Sequence, residues 1–176
     1  MRIIAGKFGG RVIESPKARR THPMSEKARG GLFNMLGELD GLSVLDAFAG
    51  SGALSLEAVS RGAKHVTAID IDKKAQVAIK KNIQTLDADG FVKPILAGAG
   101  SWSDNNPDYE FDIVIAAPPY DNLQIKLLIK LTRHVKAGGL YVLDWPGNKD
   151  LPSFEGLEQV AKRSYGDARL GFYRKV

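Results

Sequence analysis

The chain has 176 residues, 44% of them hydrophobic, which is enough for one well-buried domain and too few for two comfortable ones. No run of about 18 apolar residues occurs, which argues against a helical membrane span, and the absence of cysteine excludes disulfides and thiolate metal centres and fits a reducing, cytoplasmic setting. The net charge of +5 sits at the start: residues 1–30 hold eight Lys/Arg against Glu14 and Glu26, a net of +6, while the remainder holds 17 against 18 acids.

A positive patch of this kind points to a polyanion, and a mildly acidic body with a basic arm favours nucleic acid. The plain alternative is a solvated tail that aids solubility. Residues 2–14 alternate loosely and read as a glycine-interrupted β-hairpin. The opening MRIIAGKFGG has no continuous apolar segment, so no secretory signal is expected. Residues 15–24, SPKARRTHPM, carry two prolines and four cationic side chains and read as an irregular basic loop. The expected division is therefore a basic extension over 1–24 and a main domain over 25–176.

Ser25 is placed to cap a helix running from Glu26 to about Leu39. Gly30 and Gly31 weaken it by about 1 kcal/mol each relative to Ala, so packing compensates or something approaches that backbone closely. From residue 43 short apolar strands alternate with amphipathic helices: strands Val44–Phe48, Val66–Ile71, Val92–Leu96, Phe111–Ala116 and Leu140–Trp145, and helices Gly52–Arg61, Lys73–Leu86 and Leu123–Val135. That order predicts an α/β fold, a mostly parallel sheet covered on both faces. Leu157–Tyr165 and Arg169–Lys175 close the chain as a hairpin. The segment Gly98–Glu110 is the longest without structural signals. Trp102 within it is read as packing or as a stacking platform. Lys73-Lys74 and Lys80-Lys81 mark a solvated helix face. His22, His65 and His134 lie far apart, so no histidine metal site is expected.

The first strand leads into VLDAFAGSGALSLEA. Gly50 and Gly52 let backbone approach a ligand, and the following helix offers unpaired N–H groups. A third glycine is missing, Ser55 standing in its place, so this is not the dinucleotide fingerprint and a nicotinamide oxidoreductase is disfavoured. Asp70 lies 20 residues after Gly50 at the tip of the next strand. An acid there accepts hydrogen bonds from both ribose hydroxyls of a nucleoside cofactor. A tight turn with Asp72 as a helix cap is the competing reading.

The D-x-F-x-G-x-G pattern resembles motif I of class I S-adenosylmethionine-dependent methyltransferases. MRIIAGKFGGRVIESPK, RTHPMSEKARGGLFNML, LDAFAGSGALSLEAVSRGA, the xPPY turn and YGDARLGFYR, in that order, are similar to the RsmD-type 16S ribosomal RNA guanine-N2 methyltransferases. The resemblance implies the seven-stranded Rossmann-like fold, with the final hairpin supplying an antiparallel strand. It also implies methyl transfer from S-adenosylmethionine to a guanine amine in small-subunit RNA or its assembly particle, by a monomer without metal. By position it assigns Asp46, Phe48, Gly50, Ser51, Gly52, Asp70 and Ile71 to the cofactor, with Gly98 and Ala99 at the adenine. Ala117, Pro118, Pro119 and Tyr120 form the catalytic turn, and Lys7, Arg11, Lys17, Arg19, Arg20, His22, Ser25 and Arg29 face RNA.

Two positions depart from the family. Its turn reads Asp/Asn-Pro-Pro-Tyr, where this chain has Ala117, and its adenine contact is Asp-Ala, where this chain has Gly98-Ala99. In that turn the Asp/Asn oxygen and the first proline's carbonyl accept the amine hydrogens while Tyr stacks on the base. Loss of one such group costs about 10²–10³ in rate. Three outcomes are open: an inactive form, natural or engineered; compensation from Asp121 or Asp144; or RNA binding without catalysis. A DNA amino-methyltransferase shares the Pro-Pro-aromatic turn but no target-recognition segment is evident.

Overall fold

A computed structural model describes residues 1–15 and 23–176. Seven strands form one sheet: β1 (Ser43–Asp46), β2 (His65–Asp70), β3 (Val92–Leu96), β4 (Phe111–Ala116), β5 (Val135–Pro146), β6 (Leu157–Tyr165) and β7 (Ala168–Lys175), in the order β3-β2-β1-β4-β5-β7-β6. The first five are parallel, and β7 pairs antiparallel with β5 and β6. This is the expected Rossmann-like architecture. Its chain direction switches between β1 and β4, and open α/β sheets place ligands at that crevice.

Alternation along the strands assigns each side chain to a face. Val44, Ile113, Ile115 and Val142 belong to one core, under α1 (Glu26–Leu36), α2 (Ala53–Ser60) and α3 (Lys73–Thr85). Their neighbours Leu45, Val114, Ala116, Tyr141 and Leu143 belong to the other, under α4 (Ala99–Asn105) and α5 (Ile125–Leu131). Two buried faces explain why these strands are nearly continuous apolar runs.

Several expectations need correction. The 2–14 hairpin is reduced to one antiparallel bridge between Arg2 and Val12, with turns between them. Gly6 explains the irregularity: at φ +82°, a Cβ there would lie 1.9 Å from the Ser60 carbonyl. Ile3, Phe8 and Ile13 of this segment are buried in the first core, so residues 1–15 pack into the main body. Helix α1 starts at its Ser25 cap but stops at Leu36, where Gly37 turns at φ +75°. The suspected close approach at Gly31 is the Tyr165 ring, which a Cβ would overlap. Gly98–Glu110 is not structureless, because α4 occupies most of it, and Trp102 is buried among Tyr109, Phe111 and His134. The helix expected over 123–135 is α5 followed by a short 3-10 turn, Thr132–His134. β5 begins at Val135, its pairing with β4 shifting register between Phe111 and Ile113.

Candidate active site

The ends of β1, β2, β4 and β5 open onto a cleft of about 1100 Å³, ample for a nucleoside-sized ligand. Phe48, Gly50, Ser51, Asp70, Ile71, Gly98 and Ala99 line one part, and Ala117, Pro118, Pro119 and Tyr120 another. The two groups assigned separately along the sequence therefore share one space.

Asp70 organises the glycine-turn end of the cleft. One carboxylate oxygen accepts from the Gly50 N–H and the other from the Asp72 N–H, each at 2.8 Å. Asp72 itself caps α3 through the Lys74 N–H at 2.7 Å, so the capping reading and the ligand reading coexist on adjacent acids. Gly50 turns at φ +55°, and Gly52 at +83°, where a Cβ would press on the Ile79 side chain. Helix α2 begins at Gly52 with no side-chain cap. An acid at a strand tip, a glycine turn and an uncapped helix start suit ribose hydroxyls and a polar tail. Exposed Ile71 and half-buried Phe48 supply apolar surface beside them. Gly98 faces Ile71 at ordinary contact distance, so no crowding explains the glycine there.

Asp46 and Gly52 do not line the cleft, contrary to expectation. Asp46 is fully buried behind the glycine turn, where it accepts from the Ser55 hydroxyl at 2.7 Å. Its second oxygen has no partner among the described residues. Burial pushes its carboxyl up to about 6; Ser55 opposes that shift and Asp70 adds to it. A raised folded-state value means the folded chain binds this proton more tightly than the unfolded one. Stability is therefore lost as pH rises from about 4 to about 6. Asp46→Asn should be more stable than the parent at pH 8 by up to about 3 kcal/mol, given an ordinary value of 3.8. The advantage should vanish by pH 4 in denaturant titrations; an advantage independent of pH would show that the carboxyl is not perturbed.

The Pro-Pro-Tyr turn leaves β4 with Ala117 half-buried, Pro118 buried, and Pro119 and Tyr120 exposed. The Pro119 carbonyl accepts from the Asn122 N–H at 3.0 Å, while that of Pro118 has no partner among the described residues. The Tyr120 hydroxyl donates to an Asp144 oxygen at 2.7 Å, fixing the ring at the cleft. Asp144, near the end of β5, lines the same space with Tyr165 and Asp167 of the β6–β7 hairpin. Those last two lie in the YGDARLGFYR segment but were not assigned to the site, because the hairpin folds back to it from far along the chain.

The basic residues are dispersed. Exposed Lys7 lies over the Phe8 and Phe91 rings at 4.8 and 4.0 Å, and Arg11 donates to the Thr85 carbonyl. Ser25 caps α1 at the cleft's edge. Arg29 was expected to face RNA but is 1% exposed. It donates to the Arg2 carbonyl and faces Glu57 at 3.8 Å. Lys17, Arg19, Arg20 and His22 lie outside the described residues. Among the described residues no group of His, Asp or Glu is placed to hold a metal, and no helix is long and apolar enough to cross a membrane.

The model of the family described as Conserved hypothetical protein 95 matches residues 1–174. Ribosomal RNA small subunit methyltransferase D of Haemophilus influenzae is 33% identical over 180 residues, covering 99% of this chain and 93% of its own. A Bacillus subtilis protein provisionally named rRNA methyltransferase YlbH is 31% identical over 182 residues, 99% of each chain. A solved Escherichia coli chain, provisionally named methyltransferase yhhF, superposes with a TM-score of 0.88 at 27% identity, over 99% of this chain and 97% of that one.

Proposed function

The chain belongs to the Conserved hypothetical protein 95 family, the RsmD-type rRNA methyltransferases, and we propose that it transfers a methyl group from S-adenosylmethionine to the exocyclic N2 of a guanine in small-subunit RNA. The observation that carries this reading is the meeting of the Asp70 glycine turn and the Pro118-Pro119-Tyr120 turn in one cleft. Asp70, Gly50 and Ser51 would hold the ribose and the polar tail, with Ile71, Gly98 and Ala99 around the adenine. Bound there, the cofactor supplies a methyl already activated on a sulfonium.

What the protein must add is alignment and acceptors for the amine hydrogens, because the guanine lone pair is delocalised into the ring. The Pro118 carbonyl has a free lone pair for one hydrogen, and proline brings no N–H to compete for it. The Tyr120 ring, steadied by Asp144, offers a stacking surface for a base taken out of its RNA context. We assign RNA contact to Lys7, Arg11 and the 15–24 segment, residues 1–24 acting as the RNA-facing extension of the 25–176 domain in a cytoplasmic monomer. At position 117 the side-chain acceptor is missing, which by itself lowers the rate about 10²–10³-fold relative to a turn bearing Asp or Asn.

Incubation with labelled cofactor and immature small-subunit particles should yield N2-methylguanine in digested RNA. A second reading, RNA binding without turnover, is favoured by Ala117 alone. It predicts salt-sensitive RNA affinity and no label. No transfer by either the parent or Ala117→Asp would decide for that reading.

A further inference from the structure

We infer that Asp144 supplies the acceptor that position 117 lacks, one strand over in the sheet; the inference rests on the methyltransferase reading. In the parallel pairing of β4 with β5, Ile115 lies beside Val142 and Ala116 beside Leu143. Continuing that register by one residue sets Ala117 beside Asp144. Strands are about 4.8 Å apart, so the two backbones are immediate neighbours.

The faces agree as well. Ile113, Ile115 and Val142 belong to the first core, and Ala117 packs against it. Tyr141, Leu143 and Trp145 belong to the second. Alternation therefore sends the side chains of residues 117 and 144 to the same side of the sheet. Ala117 leaves room there, and a carboxylate is present beside that room.

Asp144 is 9% exposed yet lines the cleft. One of its oxygens is held by Tyr120 at 2.7 Å, and the other takes no side-chain partner among the described residues. No Lys or Arg pairs with it among those residues; the charged or titratable groups facing it are Tyr120 and Asp167. Burial pushes its carboxyl up to about 6, Tyr120 opposing and Asp167 reinforcing that shift. A carboxylate with that affinity for protons is well matched to taking one near neutral pH. Asp121, the other acid near the turn, is exposed and holds nothing, so it does not carry the role.

The step balances without a further reagent. The nitrogen–methyl bond forms as the sulfur–methyl bond breaks, and the sulfur keeps that electron pair. One amine hydrogen leaves N2 as a proton to the Asp144 carboxylate and passes on to solvent.

Transfer to immature small-subunit particles should be compared for the parent, Ala117→Asp, Asp144→Ala, and Asp144→Ala combined with Ala117→Asp. Asp144→Ala should lower kcat about 10²–10³-fold, and adding Ala117→Asp should recover most of that loss. A residue that only steadies Tyr120 would not be rescued from position 117. Thermal melts report folding, and Asp144→Leu, which fills the volume with an apolar group, replaces the alanine if that variant melts without cooperativity. A loss of less than threefold, or no recovery, overturns the inference. An inactive parent with an active Ala117→Asp also overturns it, while leaving the methyltransferase reading intact. Inactivity of both removes the two together.

Discussion

Glu57→Ala is expected to be the most damaging single substitution for stability. Glu57 is fully buried and serves four groups. Its oxygens accept from the Ile4 N–H at 2.8 Å, the Ala5 N–H at 3.2 Å and Arg61 at 2.9 Å, and it balances Arg29 at 3.8 Å. Removing it leaves a buried guanidinium without its counter-charge and two backbone donors without an acceptor. Breaking a buried pair in this way costs about 3–5 kcal/mol, a large share of the 5–15 kcal/mol by which domains are stable. A fall in melting temperature of about 10 °C follows for a chain of this size. Lys81→Ala, which opens the exposed Lys81–Glu14 pair, should change stability by less than about 0.5 kcal/mol. Equal effects of the two substitutions in a thermal melt would refute this ranking. Since Ile4 and Ala5 belong to the basic N-terminal segment, Glu57→Ala should also loosen that segment and weaken RNA binding.

Asp70→Ala should have the largest effect on the cofactor. The carboxylate holds the Gly50 and Asp72 N–H groups and presents what remains of its lone pairs to the cleft. Hydrogen bonds to a charged group contribute about 1.5–3 kcal/mol each, and every 1.4 kcal/mol is about tenfold in affinity. Loss of two ribose contacts should weaken S-adenosylmethionine binding by at least about 100-fold by calorimetry, and Asp70→Asn, which keeps one acceptor oxygen, should fall between. An affinity within threefold of the parent would remove Asp70 from the ribose site. Both experiments probe acids, yet in different currencies: Glu57 is read in stability and Asp70 in affinity.

Local pattern carried the α/β architecture. Apolar runs between amphipathic helices set a parallel sheet, and Gly50 and Asp70 stood at the strand ends where the cleft lies. Signals weakened wherever a glycine or a distant residue set the outcome. The expected N-terminal hairpin gave way to turns because Gly6 lies against the Ser60 carbonyl, 54 residues away. The stretch Gly98–Glu110 looked unstructured because polar and small residues obscure a short helix whose anchor, Trp102, packs against His134 from beyond β4.

Charge told the least about position. Arg29 counts toward the basic N-terminus, but its burial depends on Glu57, which is 28 residues on and invisible to composition. By itself, then, the sequence determined the sheet, the glycine turn, the Pro-Pro-Tyr turn and the missing oxygen at residue 117. These depend on periods of 2 and 3.6 and on turn chemistry, which neighbouring residues record. Only the tertiary structure decided that Arg29 is buried, that Asp46 stands behind the cleft, and that Asp144 holds Tyr120 in the cleft that Ala117 also lines. Those facts depend on strand register and on which elements meet, and contacts between residues far apart along the chain leave no local pattern to read.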